Sequence, residues 1–282
     1  MITAAKYSNF IYNNAYIPEH IYTYVQGISD VDAYFSMPYV CYFKEGLLIF
    51  VGYPLKDIYN LSSLKVILNE AISKTKCDRV KIILPLWPIE GLSNYKLISK
   101  DEYYRLDLNS FTIKSKTRNM INRASRDMAV ERTRSISSEH RDLIERFLDE
   151  KKIDEETKWI IKNIVSYVAQ SDSAWILNGR DAKGRLIVFD IIDLFSKDYI
   201  FYMFNIRSLD KYIPGASDLL FYELIKMGIE NKKKYINLGL GINKGVSFFK
   251  EKWGGRPFIS YYLLEKEIKT KINIFSIIDR FI

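Results

Sequence analysis

Residues Pro214 to Gly255 read PGASDLLFYELIKMGIENKKKYINLGLGINKGVSFFKEKWGG, and the order of elements in this stretch decides the fold. A loop of small residues, Pro214 to Ser217, opens a helix in which Leu219, Tyr222, Leu224, Ile225 and Ile229 are available for packing. The apolar run YINLGLG, residues 235–241, is too short for a helix and reads as a strand. KGVSFFKEKW, residues 244–253, is a second helix, ended by Gly254 and Gly255.

Working back from Pro214, AWILNG (174–179), RLIVFDIIDLF (185–195) and YIFYMFNI (199–206) are three strands with polar turns between them. Two helices with acidic first turns, 137–152 and 154–171, precede them. With FISYYLLEK (258–266) as a closing strand, the second half is αα-βββ-α-β-α-β. The first half reads β-β-α-β-β: a hairpin about Lys44-Glu45-Gly46, a helix at 61–76 capped by Ser62 or Ser63, then strands RVKIILPLW and EYYRLDL. Two domains, 1–135 and 136–282, are therefore expected. Between them KSKTRNMINRASRDMAVERTR (114–134) predicts an amphipathic basic helix at 114–127 and an exposed or edge strand.

Composition narrows the chemistry. With 48% apolar and 27% charged residues the chain has ample material for a core and is not disordered. The N-terminus lacks an apolar signal-like run, no segment reaches the roughly 20 apolar residues of a membrane helix, and a cytoplasmic location is expected. Cys41 and Cys77 form no CxxC, and His20 and His140 stand in unrelated contexts. Disulfide, zinc and histidine-dependent nucleophilic chemistries are thereby disfavoured, and no metal is expected. The net charge is +8, and residues 114–134 alone hold seven basic against two acidic side chains. Such a segment suits a phosphate-bearing partner or is a solvated helix face.

The element order, with the residues of 214–255 and 114–134, resembles the GNAT N-acyltransferase superfamily, and within it the Fem-type aminoacyltransferases and the lysyl-phosphatidylglycerol synthase catalytic domain. The resemblance covers roughly residues 111–257 and implies an α/β (α+β) protein of two GNAT-like domains in tandem, with mixed, mostly antiparallel sheets. It implies transfer of an acyl or aminoacyl group, from acyl-CoA or aminoacyl-tRNA, to an amine acceptor that is a small molecule, a peptide or a lipid headgroup. DKYIPGAS keeps only Gly215 and Ala216 of the loop motif that acetyl-CoA users carry, so a non-catalytic module that binds RNA or a nucleotide stands as the alternative.

For the donor, the resemblance points to the loop Pro214, Gly215, Ala216, Ser217 and Asp218, whose helix N-terminus is an anion site, and to Gly239 and Gly241. The same loop also reads as an ordinary capped helix start. Lys250 is implied as the ammonium that stabilises an oxyanion or a phosphate, with Phe248 and Phe249 anchoring its helix; the other reading is a solvated lysine. Asp190 and Asp193, three apart in an apolar strand, fall on opposite faces, so one can line a cleft and accept a proton while the other is structural, bonded to Arg185 or Arg207. Tyr202, Asn205 and Asn237 are expected to line the cleft. Lys116, Arg118, Arg123 and Arg126 are the candidate tRNA or phosphate contacts.

Overall fold

The computed structural model describes residues 2–56 and 59–268. Among the described residues twelve strands form one continuous sheet in the order β1-β2-β3-β4-β5-β12-β6-β11-β10-β9-β8-β7. They are β1 (Ile2–Thr3), β2 (Asp32–Ser36), β3 (Tyr39–Lys44), β4 (Leu47–Val51), β5 (Arg79–Leu84), β6 (Lys96–Asp107), β7 (Met128–Thr133), β8 (Ala174–Asp181), β9 (Leu186–Asp193), β10 (Tyr199–Arg207), β11 (Tyr235–Leu240) and β12 (Arg256–Glu267). The helices are α1 (Ser8–Asn14), α2 (Tyr22–Ser29), α3 (Leu61–Thr75), α4 (Ser115–Asp127), α5 (Ser138–Glu150), α6 (Glu155–Gln170), α7 (Ala216–Glu230) and α8 (Lys244–Lys252). Among the described residues no helix is long and apolar enough to cross a membrane.

Local chemistry sets these boundaries. The β3–β4 hairpin turns where Glu45 and Gly46 both take positive φ, 48° and 78°, which matches the twist of the flanking strands. Asn60, not Ser62 or Ser63, caps α3: its side chain accepts from the Ser63 amide. Asp154 caps α6 in the same way. Ser137 and His140 form a reciprocal cap on α5, and His140 Nε2 meets Asn178 Oδ1 at 2.8 Å, so this histidine is spent on structure.

Every residue of β9 is buried, as a strand covered on both faces must be. Val188 and Ile192 pack towards α4 and α7, while Phe189 and Ile191 pack towards α5 and α6. Each such side chain contributes roughly 1.5–3 kcal/mol by leaving water. In the first half α3 covers one face of the sheet and α1 belongs to the cluster on the other.

The halves are joined more closely than a boundary at 135 implies. Although β7 precedes that point, it pairs with β8 at the outer edge of the second half's sheet, where Arg132 bonds Glu223 and Glu230 of α7. β12 runs from the second half into the first and lies between β5 and β6. Tyr53 fixes it there, since its Oη donates to Ser260 O at 2.7 Å and to Leu84 O at 2.9 Å. Residues 269–282 of the second half lie outside the described residues.

Candidate functional site

Neighbouring strands β10 and β11 run parallel but pair over only three positions, from Tyr199↔Tyr235 to Phe201↔Asn237. Beyond Phe201 the two strands part. At the same level the β9–β10 register slips by one residue, because Tyr202 faces Ile192 and Phe204 faces Ile191, leaving Met203 as a bulge. The gap opens into a cleft of about 1090 Å3. Its walls are Tyr202, Met203 and Asn205 of β10, Gly239 and Leu240 of β11, the start of α7 and one side of α8.

Lys250 lies in this wall. It is 3% exposed, which replaces the solvated reading with a buried one. Its Nζ donates to the carbonyl of Leu240 and stands 5.5 Å from the centre of the Tyr104 ring. Burial pulls the ammonium down to about 7, against an opposing pull from Asp101. Asp101 itself accepts from the Gly241 amide at 3.1 Å and the Ile242 amide at 2.8 Å, shaping the turn that carries α8. Phe249 anchors α8 among Tyr202 and Phe221, whereas Phe248 is 68% exposed at the cleft mouth and anchors nothing.

The two aspartates separate by face. Asp193 points away from the cleft and is bound by Tyr167 Oη at 2.5 Å and the Phe195 amide at 2.7 Å. Asp190 lies behind the cleft wall, where Oδ1 accepts from Asn205 Nδ2 at 2.6 Å and Tyr202 lies beside it. Burial raises its carboxyl to about 8, so it holds its proton at neutral pH. Among the described residues neither aspartate bonds an arginine: Arg185 pairs with Asp181, and Arg207 sits over Tyr212. A proton acceptor at the cleft surface is therefore not supplied by either one.

The glycine amides are also committed. Gly239 N donates to Asn237 Oδ1 at 2.7 Å, and Gly241 N to Asp101. Asn237 is fully buried and donates from Nδ2 to Tyr16 O at 2.7 Å, so it holds backbone on both sides instead of a substrate carbonyl. At the donor loop Gly215 has φ of +85°, and a Cβ there would lie 2.4 Å from the carbonyl of Met120 in α4. The glycine makes room for helix α4, and its backbone also lines the cleft. Pro214 is half-buried beside it. Ala216 N bonds Ile213 O and Leu219 N bonds Gly215 O, which leaves the Ser217 and Asp218 amides as the free donors at this helix start. Asp218 pairs with Lys252 and accepts from Trp253 Nε1 at 2.9 Å.

Met120 brings α4 to the edge of the cleft. Lys116, Arg118, Arg123 and Arg126 of the same helix are all exposed, and among the described residues none is in an ion pair. Glu19 and Tyr261, which the sequence reading did not single out, complete the cleft from the first half and from β12. No group of three or more metal-binding side chains is present among the described residues.

No protein-family model matches the chain, and no curated protein sequence matches it. Solved structures do. L-PGS from Bacillus licheniformis superposes with a TM-score of 0.62 at 17% identity, over 98% of this chain and 95% of that one. FemX gives 0.63 at 12% identity over 99% of each chain. A tandem GNAT protein from the clavulanic acid biosynthesis pathway gives 0.56 at 9% identity over 94% of each. The chain has the tandem GNAT fold. In this chain the second half supplies the β10–β11 splay, and the first half closes it with Pro18, Glu19 and Tyr103.

Proposed function

We propose that the protein is an N-acyltransferase that moves an acyl or aminoacyl group to an amine by direct attack within the β10–β11 cleft. The observation that carries this reading is Lys250, a dehydrated ammonium beside Gly239 in the wall of a cavity made by strand splay. An ammonium poised near neutrality and shielded from water interacts strongly with charge that develops on a carbonyl oxygen. As negative charge appears, its proton affinity rises and the charged form is favoured. The cleft has room for the reacting ends of two substrates.

The carrier is the finer part of the proposal. Aminoacyl-tRNA is favoured over acyl-CoA, because α4, which reaches the cleft through Met120, carries the exposed cations Lys116, Arg118, Arg123 and Arg126. Support also comes from the fold shared with FemX and L-PGS. The test is a single-turnover assay with radiolabelled aminoacyl-tRNA or acetyl-CoA and a panel of amines. Transfer from either donor upholds the reading. Tight, salt-sensitive RNA binding with no transfer selects the non-catalytic module instead.

A further inference from the structure

Glu19 stands in the turn Pro18–His20 of the first half, and its side chain lines the cleft with Tyr24, Tyr103 and Tyr261. Oε2 accepts from Tyr103 Oη at 2.7 Å, and the backbone amide of Glu19 itself also bonds the carboxylate. No lysine or arginine pairs with it among the described residues; tyrosines surround it instead, with Tyr42 and Tyr53 behind the cleft wall. Burial accordingly holds its carboxyl above the ordinary carboxylate range.

The position is enforced from three sides. Tyr42 Oη donates to Glu19 O at 2.7 Å, His20 Nε2 lies 3.0 Å from Tyr53 O, and Asn237 Nδ2 holds Tyr16 O. A carboxylate fixed in an apolar, aromatic setting without a cation is costly in the free protein and is relieved by a cationic ligand. Tyrosine faces add a second attraction for positive charge. Tyr103 takes one lone pair of Oε2, so a compact ammonium can use those that remain from one direction, whereas a planar guanidinium needs both oxygens open on the same side.

We propose that Glu19, walled by Tyr24, Tyr103 and Tyr261, is the seat of a primary ammonium group carried by a substrate. The proposal rests on the acyl-transfer reading for the identity of that substrate: an amine acceptor, or an aminoacyl donor through its α-amine. Its location agrees with that use. Tyr103 lies opposite Leu240 in the β6–β11 ladder, and Leu240 O receives the Lys250 ammonium, so seat and lysine line the same cleft from the two faces of the sheet.

Hexylammonium chloride, with hexanol as a neutral control and hexylguanidinium as a planar cation, is titrated into the full chain by ligand-observed NMR. Hexylammonium is expected to bind at least tenfold more tightly than either control. Glu19→Gln should weaken it by roughly tenfold to a hundredfold, the range for losing a hydrogen bond to a charged group. Equal binding of hexylammonium and hexanol, or undiminished hexylammonium binding by Glu19→Gln, overturns the proposal. If Glu19→Gln loses its circular dichroism signal, Glu19→Asp is read in its place; it withdraws the carboxylate by one methylene and should cost several-fold in affinity, and unchanged affinity overturns the proposal equally. The source of the amine is read from phenylalanyl-tRNA against N-acetyl-phenylalanyl-tRNA. Weaker binding of the blocked form to wild type but not to Glu19→Gln assigns the seat to the donor, and equal binding assigns it to the acceptor. None of these titrations needs turnover, so they stand or fall separately from acyl transfer.

Discussion

Asn237 donates through Nδ2 to the carbonyl of Tyr16 and accepts through Oδ1 from the amide of Gly239, each at 2.7 Å. One buried side chain thus ties the turn that carries Glu19 to the strand end beside Lys250. Asn237→Leu leaves both backbone groups without partners and should cost roughly 1–3 kcal/mol. Urea denaturation should show the midpoint falling at unchanged slope. A midpoint equal to wild type would mean that the two halves hold the cleft without this link.

Gly215→Ala separates two accounts of the donor loop. The methyl group would meet the Met120 carbonyl at 2.4 Å, on a backbone whose φ of +85° disfavours any side chain. A loss of about 1–3 kcal/mol is expected, with α4 displaced. Normal stability with weakened donor binding would return the glycine to the ligand.

Much of the fold could be read from the sequence because its elements have strong periods. The order αα-βββ-α-β-α-β holds throughout the second half, and the Glu45-Gly46 hairpin is where turn chemistry puts it. The cleft was legible only in part. Lys250 and Tyr202 do line it, but the bulge at Met203 leaves no mark in YIFYMFNIR, since no glycine or proline accompanies it. Glu19 was invisible for a different reason. It sits in a short turn with no period of its own, and its partner Tyr103 is 84 residues away. The insertion of β12 between β5 and β6 is likewise a long-range pairing that local pattern cannot announce.

Asp190 should make stability fall as pH rises. Its carboxyl titrates at about 8 in the folded chain and at the ordinary 3.8 when unfolded, so between these values the native state holds a proton that the unfolded state has lost. The slope is on the order of 1.4 kcal/mol per pH unit for one fully titrating group. Asp190→Asn removes the titration. Its stability should match wild type near pH 4 and exceed it at pH 8, as read from urea midpoints across that range. Parallel pH curves for the two proteins would show that Asp190 is ionised in the fold.

Lys250 has the opposite linkage and, in the proposed reaction, meets the developing oxyanion. Its ammonium titrates at about 7 when folded and at 10.5 when unfolded, so between pH 7 and 10.5 the unfolded chain binds the extra proton and stability rises with pH. Activity should run the other way. If the charged form meets the developing oxyanion, the single-turnover rate falls as pH rises through about 7, by a smaller margin once an anionic donor is bound and lifts that value. Lys250→Ala should slow transfer by roughly 100-fold or more below pH 7. Its melting temperature should change little there, because the lost bond to Leu240 O is offset by removal of a buried charge. The pH dependence of the rate should vanish with it. Unchanged turnover in Lys250→Ala, or a rate loss matched by an equal loss of folded protein, would leave the lysine with a structural role and the cleft without its ammonium.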